Sequence, residues 1–202
     1  MPAGTTVVAR RRVSIVIAVG MAVGLVSLGL EHLPAPWFNL SAWGGAWLIL
    51  AFGGGATQPG PRRGATAGLA ALVAATGTYY LAKLAFGSPI NPLAQDNPLV
   101  WVVASIPAGV AGGVLGTTWR TSARLPRIAA VAALAGTVLA EAWWHRDGYG
   151  LSALIALVGL VLPVLLLRTT TERAVGVFAT VAGGLLIWWS LNVALPVVLA
   201  VG

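Results

Sequence analysis

The sequence of 202 residues contains no cysteine, which excludes disulfide bonds, thiolate nucleophiles, iron–sulfur clusters and cysteine-ligated zinc. It also has little charge, because Asp, Glu, Lys and Arg make up only 8% of the residues. Soluble domains carry about 25% charged residues, and disordered chains combine high charge with low hydrophobicity. The chain therefore belongs to neither class.

Motifs for nucleophilic catalysis and nucleotide binding are missing as well, since the sequence has no G-x-S-x-G, no P-loop and no G-x-G-x-x-G. The basic residues separate apolar runs instead of clustering on a polar surface, which argues against a nucleic-acid partner. The two histidines, His32 and His145, both fall at predicted helix ends, so a bis-histidine haem site is disfavoured. We expect no cofactor, no metal and no nucleic-acid partner; enzymatic activity is disfavoured but left open.

Apolar residues are abundant, at 58% of the chain. A bilayer core of about 30 Å needs about 20 such residues per helix, and charged or Pro/Gly-rich segments divide the chain into seven runs of this kind. The sequence therefore predicts an all-α, polytopic bundle of about seven transmembrane helices. The predicted spans are residues 13–30, 39–55, 64–86, 98–118, 128–144, 149–167 and 174–200, the last with its end relative to Pro196 left open.

The basic residues predict the orientation of these helices, because they fall in alternate connections and cytoplasmic loops carry an excess of Lys and Arg. We expect the N-terminus inside, the C-terminus outside, a cytoplasmic basic segment at residues 1–12 and a single transmembrane domain at 13–200. The expected location is a bacterial plasma membrane. The basic residues assigned to the inner side are Arg10, Arg11, Arg12, Arg62, Arg63, Arg120, Arg124, Arg127, Arg168 and Arg173.

Two ionisable residues lie within the predicted spans, and such residues are costly in a bilayer and mark candidate sites. We predict that Lys83 and Glu141 pair across an outward-facing polar pocket. Tyr79 and Tyr80 share a helical turn with Lys83, and His145 shares a helix face with Glu141. These five residues form the predicted ligand-binding site. This pairing is a hypothesis, and the favoured interpretation of the two charges is that Lys83 snorkels to the interface and Glu141 reaches water.

A metal site is a second interpretation of the Glu141 region. A carboxylate and an imidazole four residues apart, as in Glu141 and His145, can supply two ligands, which His32 or Asp147 would complete. An ordinary solvated helix end is favoured, because no H-E-x-x-H or similar ligand pair is present.

Small residues spaced four apart predict close helix packing. We expect these spacings to form contacts within one bundle. They occur at Gly20/Gly24, Gly64/Gly68, Gly109/Gly113 and Gly112/Gly116.

The Trp- and Gly-rich stretch Pro36–Gly55 is followed by Arg62-Arg63-Gly64-Ala65, then by Gly77-Thr78-Tyr79-Tyr80 and a helix ending at Ala140-Glu141. In these features the chain resembles a family of small actinobacterial multi-pass membrane proteins of unknown function. The resemblance implies the architecture and no particular activity.

The favoured function is an integral membrane protein that binds or transports a small molecule through the outward-facing pocket. A structural or accessory subunit of a membrane complex and an intramembrane enzyme are the alternatives. The expected partners are the lipid bilayer, other membrane proteins and an unidentified small molecule.

Overall fold

The computed structural model of the protein describes residues 3–87, 97–121, 123–145, 149–190 and 192. These residues form seven α-helices and one 3₁₀ helix, which confirms the predicted all-α class and helix number. The elements are α1 (Ala3–Leu30), the 3₁₀ helix (Trp37–Ala42), α2 (Gly44–Ala56), α3 (Pro61–Ala85), α4 (Pro98–Thr121), α5 (Arg124–Trp144), α6 (Tyr149–Leu166) and α7 (Thr170–Trp189).

Six of the helices in the described chain are long and apolar enough to cross a membrane. The exception is α2, which has 13 residues and therefore rises about 20 Å, less than a bilayer core of about 30 Å. The prediction of a span over residues 39–55 was wrong at its start. Trp43 has an extended backbone and separates α2 from the 3₁₀ helix, in which Asn39 and Ser41 are poor α-helix formers.

The last helix begins four residues earlier than predicted, because a cap stops the chain from fraying there. Thr169 precedes the first turn, and its side chain accepts a hydrogen bond of 3.2 Å from the backbone N–H of Glu172. The T-x-x-E spacing is that of a capping box. Residues 193–200, and with them Pro196, lie outside the described residues.

The chain forms two compact units, Met1–Arg120 with α1 to α4 and Thr121–Gly202 with α5 to α7. We call them the amino-terminal and carboxyl-terminal units. In the first, α3 packs against α1 and α2; in the second, α5 packs against α6 and α7. The single transmembrane domain at 13–200 stays a prediction, and the predicted basic segment 1–12 continues from Ala3 into α1.

Glycines bring the helix backbones of the amino-terminal unit into direct contact, as the four-residue spacings predicted. A Cβ atom on Gly68 of α3 would lie 2.8 Å from the Cα of Gly113 of α4. A Cβ on Gly24 of α1 would lie 3.1 Å from the backbone nitrogen of Tyr79 of α3. These distances leave no room for a side chain, so glycine sets how closely the helices approach.

Two arginines gather several helix ends at one end of the amino-terminal unit. Arg12 of α1 donates a hydrogen bond of 3.1 Å to the carbonyl of Thr57, which follows α2. Arg120 at the end of α4 donates one of 2.9 Å to the carbonyl of Ala56. We call this the basic end of the unit. The end of α1, the start of α2 and the end of α3 therefore lie at the opposite end.

Candidate functional site

A cavity of about 500 Å³ opens at the end of the amino-terminal unit that is opposite the basic end. Its volume lies in the range of small-molecule sites, about 300–1,000 Å³. We call it the amino-terminal cavity. Its lining comprises Glu31, His32, Phe38, Asn39, Ser41, Gly44, Trp47, Leu48, Leu72, Thr76, Tyr79, Tyr80, Lys83, Trp101, Ala104, Ser105 and Ala108.

The helical period explains which residues of α3 and α4 face the cavity. On α3 the lining residues run from Leu72 through Thr76 to Lys83, at three- and four-residue steps that keep them on one face. On α4 the lining includes two small residues, Ala104 and Ala108. The small side chains and the late start of α2 leave the space that longer side chains would fill.

The charged group of the cavity is an ion pair between the end of α3 and the residue that follows α1. The ammonium of Lys83 donates to Oε1 of Glu31 at 3.0 Å. The hydroxyl of Tyr79 donates to the same carboxylate oxygen, and its oxygen lies 3.4 Å from the ammonium. The side chain of Lys83 is only 5% exposed. The pair is therefore buried on its lysine side and open on its glutamate side, where 22% of the side chain is exposed.

Aromatic rings form the wall beside this pair. Tyr79 and Tyr80 contact edge to face with centroids 4.9 Å apart, and Trp47 meets Tyr79 in the same way at 6.4 Å. The ammonium of Lys83 lies 5.4 Å from the ring centroid of Tyr79. Trp101 of α4 packs against the cluster that Tyr79 and Tyr80 form with Leu28. Such pairs hold aromatic side chains in fixed orientations.

Several polar groups of the cavity have hydrogen-bonding capacity that the described residues do not use. The hydroxyls of Thr76 and Ser41, on side chains 3% and 7% exposed, form no hydrogen bond with described residues. The same is true of Oε2 of Glu31, since both of its bonds fall on Oε1. Buried polar groups are normally paired, so these groups have capacity for further hydrogen bonds.

The structure brings together three of the five predicted site residues, Lys83, Tyr79 and Tyr80. Glu141 and His145 lie at the end of α5 in the carboxyl-terminal unit, with 3.9 Å between the carboxylate and the imidazole, as their spacing predicted. The pairing of Lys83 with Glu141 joins residues of different units and stays a prediction. The carboxylate that the structure places on Lys83 is Glu31.

The predicted alternatives for these residues have different outcomes. Lys83 is buried rather than extended to solvent, so the snorkelling interpretation does not describe it. Among the described residues no group of three His, Asp or Glu side chains lies close enough to hold a metal ion. Asp147, a candidate third ligand, lies outside the described residues.

Sequence reasoning missed Glu31 as a member of the site, although a signal for it exists. Glu31 directly follows the first apolar run, and the topology places it at the same end of the bundle as Lys83. A search for opposite charges at the outer rim would have found four acids, Glu31, Asp96, Glu141 and Asp147. Only the packing of α1 against α3 selects Glu31.

These features define a class of protein: the described residues form helices, six of these helices could span a membrane, and one unit holds a polar cavity among its helix ends. The chain belongs to the family of unknown function DUF6518, whose model matches residues 3–195. No curated protein and no solved structure matches it. The resemblance to a family of unknown function is thereby confirmed, while an actinobacterial origin stays a prediction.

Proposed function

We propose that the protein is a multi-pass membrane protein that binds a small molecule in the amino-terminal cavity. The observation that carries the proposal is a buried ion pair, Lys83 with Glu31, on the wall of a cavity that also holds unpaired polar groups. A charge pair inside an apolar bundle costs desolvation energy. Binding of a ligand in the cavity accounts for why the chain keeps the costly Lys83–Glu31 pair on the cavity wall.

Native mass spectrometry of the protein, extracted from its membrane in mild detergent, tests the binding proposal. Ala108→Leu fills part of the cavity, whereas Ala111→Leu adds the same atoms to an exposed position of the same helix. We expect a small-molecule adduct on the unmodified protein and on Ala111→Leu, and its loss on Ala108→Leu. An adduct of equal abundance on all three proteins, or on none, would contradict the proposal.

The cavity faces outward in this proposal, because it lies opposite the basic end and basic ends face the cytoplasm. The cysteine-free chain permits a direct test of this topology. Leu33→Cys introduces a thiol near the cavity end, and Pro59→Cys introduces one between α2 and α3, both at exposed positions. A membrane-impermeant maleimide added to intact cells should label the first and should label the second only after permeabilisation. The reverse pattern would place the cavity on the cytoplasmic side.

A further inference from the structure

The polarity of the amino-terminal cavity changes along α3. Lys83 and Glu31 form one end, Thr76 lies between, and Leu72 forms the other end beside Leu48 of α2. The distance from Leu72 to Lys83 along the helix is about 16 Å at the α-helical rise. A ligand that matches this gradient has a polar end and an apolar body.

The described lining residues carry balanced formal charge, one carboxylate on Glu31 and one ammonium on Lys83. Most of the remaining wall is aromatic or aliphatic. A ligand with a net charge would add an uncompensated charge to this environment, which is costly at low dielectric. The charge balance therefore favours an uncharged ligand.

The carboxylate of Glu31 is the charged hydrogen-bond acceptor at the polar end of the cavity. Oε1 of Glu31, a residue of the cavity lining, already receives two hydrogen bonds, and Oε2 receives none from the described residues. Ser105 donates its proton to the carbonyl of Val102 at 2.8 Å, so its oxygen can only accept from a ligand. The complementary ligand group is a donor, an N–H or an O–H.

The walls between the two ends offer flat surfaces. Trp47, Tyr79, Tyr80 and Trp101 meet around the cavity, and the tyrosine rings are nearly perpendicular to each other. Aromatic ligands stack on such faces or pack against such edges. A flat apolar body fits this wall better than a branched aliphatic one.

We infer that the amino-terminal cavity takes an uncharged, flat, amphipathic molecule that donates a hydrogen bond to Oε2 of Glu31 and places its apolar body between the aromatic residues and Leu72. The inference rests on the proposed binding function and specifies the chemical class of the ligand. It also assigns opposite roles to the two charged residues: Glu31 receives the ligand, and Lys83 balances and orients Glu31.

Four indole probes test this class by isothermal titration calorimetry on the full chain in lipid nanodiscs at pH 7. Indole is flat, neutral and carries an N–H; 1-methylindole lacks the donor; tryptamine is a cation and indole-3-acetate an anion. We expect indole to bind at least about tenfold more tightly than each of the others, because a hydrogen bond to a charged acceptor is worth that factor or more. Ala108→Leu should abolish this binding, whereas Ala111→Leu should retain it.

Two charge-removing variants test the charge balance with opposite expected results. Glu31→Gln removes the carboxylate that pairs with Lys83, so indole-3-acetate should gain at least about tenfold relative to tryptamine. Lys83→Gln leaves the carboxylate unbalanced, so tryptamine should gain relative to indole-3-acetate. Circular dichroism and size-exclusion chromatography verify that each variant is folded, and the comparison of indole with 1-methylindole on the unmodified protein requires no variant.

The outcomes separate this inference from the proposed function. Equal affinity for all four probes, or tighter binding of a charged probe by the unmodified protein, overturns the ligand class while cavity binding stands. A native adduct that Ala108→Leu removes, together with no binding of any probe, also overturns the class. Absence of both the adduct and probe binding overturns the proposed function itself.

Discussion

Each unit contains an ion pair that joins distant parts of the chain, and the two pairs serve different purposes. In the carboxyl-terminal unit Arg127 donates to Oε1 of Glu172 at 3.3 Å, while Oε2 accepts from the backbone N–H of Arg168 at 3.0 Å. Both carboxylate oxygens of Glu172 are therefore used by the protein. In the amino-terminal unit the described residues bond to only one oxygen of Glu31, and Glu31 lines a cavity.

The positions of the two acids relative to their helices reinforce this difference. Glu172 lies in the first turn of α7, where the helix dipole stabilises a negative charge. Glu31 follows the last turn of α1, where the dipole disfavours one. The first acid stabilises the start of a helix. The second is stabilised by the hydrogen bonds that Lys83 and Tyr79 donate to it.

The largest expected loss of stability comes from filling a helix contact with a methyl group, and it should differ between the units because their helices pack at different distances. Gly68→Ala in the amino-terminal unit should destabilise the protein by about 3 kcal/mol, because the new Cβ would meet the α4 backbone. Gly136→Ala in the carboxyl-terminal unit should change stability by about 1 kcal/mol or less, because its nearest contact is 3.2 Å and alanine favours the helix. Thermal unfolding in detergent measures both.

Two glycines at positions where a Cβ atom would fit without contacts provide controls for that comparison. A Cβ atom on Gly77 of α3 or Gly183 of α7 would meet no atom within 4 Å. Alanine at either position should leave stability unchanged or raise it slightly. If Gly68→Ala is no more destabilising than Gly77→Ala, the close packing of α3 against α4 is wrong.

The next largest loss of stability is expected when the basic residue of either ion pair, Lys83 or Arg127, is replaced. Lys83→Gln should lower stability by about 2 kcal/mol, the value of a hydrogen bond to a charged group, and should also change probe binding. Arg127→Gln should lower stability without changing the affinity for indole, because Glu172, the acid with which Arg127 pairs, is not among the cavity-lining residues. Unfolding midpoints and calorimetry on the same preparations give the two readouts. An Arg127→Gln variant with altered indole affinity would remove the contrast between the two pairs.

The smallest effect tests the cap that accompanies the carboxyl-terminal pair. Thr169→Ala removes the acceptor for the N–H of Glu172 and should cost about 1 kcal/mol. Thr171→Ala, at an exposed position two residues later, serves as the control and should have little effect. Equal unfolding midpoints for the two variants would show that the cap contributes nothing to stability.

Much of the fold follows from local features of the chain. Long apolar runs separated by charges and prolines predicted the helices, and the glycine spacings predicted which surfaces pack. The start of α2 was missed, because the extended backbone at Trp43 interrupts an otherwise continuous apolar run. The start of α7 was missed because apolarity, rather than the T-x-x-E cap, set the predicted boundary.

The candidate site was only partly predictable for a related reason. Lys83, Tyr79 and Tyr80 are neighbours on one helix, so their spacing alone places them together. Glu31 and Trp101 come from other helices, and an apolar sequence contains many surfaces that could meet α3. No local signal distinguishes among those surfaces.

The sequence by itself determined the helical class, the number of helices and the gathering of Lys83 with two tyrosines, because these depend on composition and on the period of one helix. Tertiary structure decided that Glu31 pairs with Lys83 and that a cavity remains beside them. The physical reason is that the pair joins residues 52 positions apart. Which helices meet depends on glycine contacts between backbones and on the late start of α2.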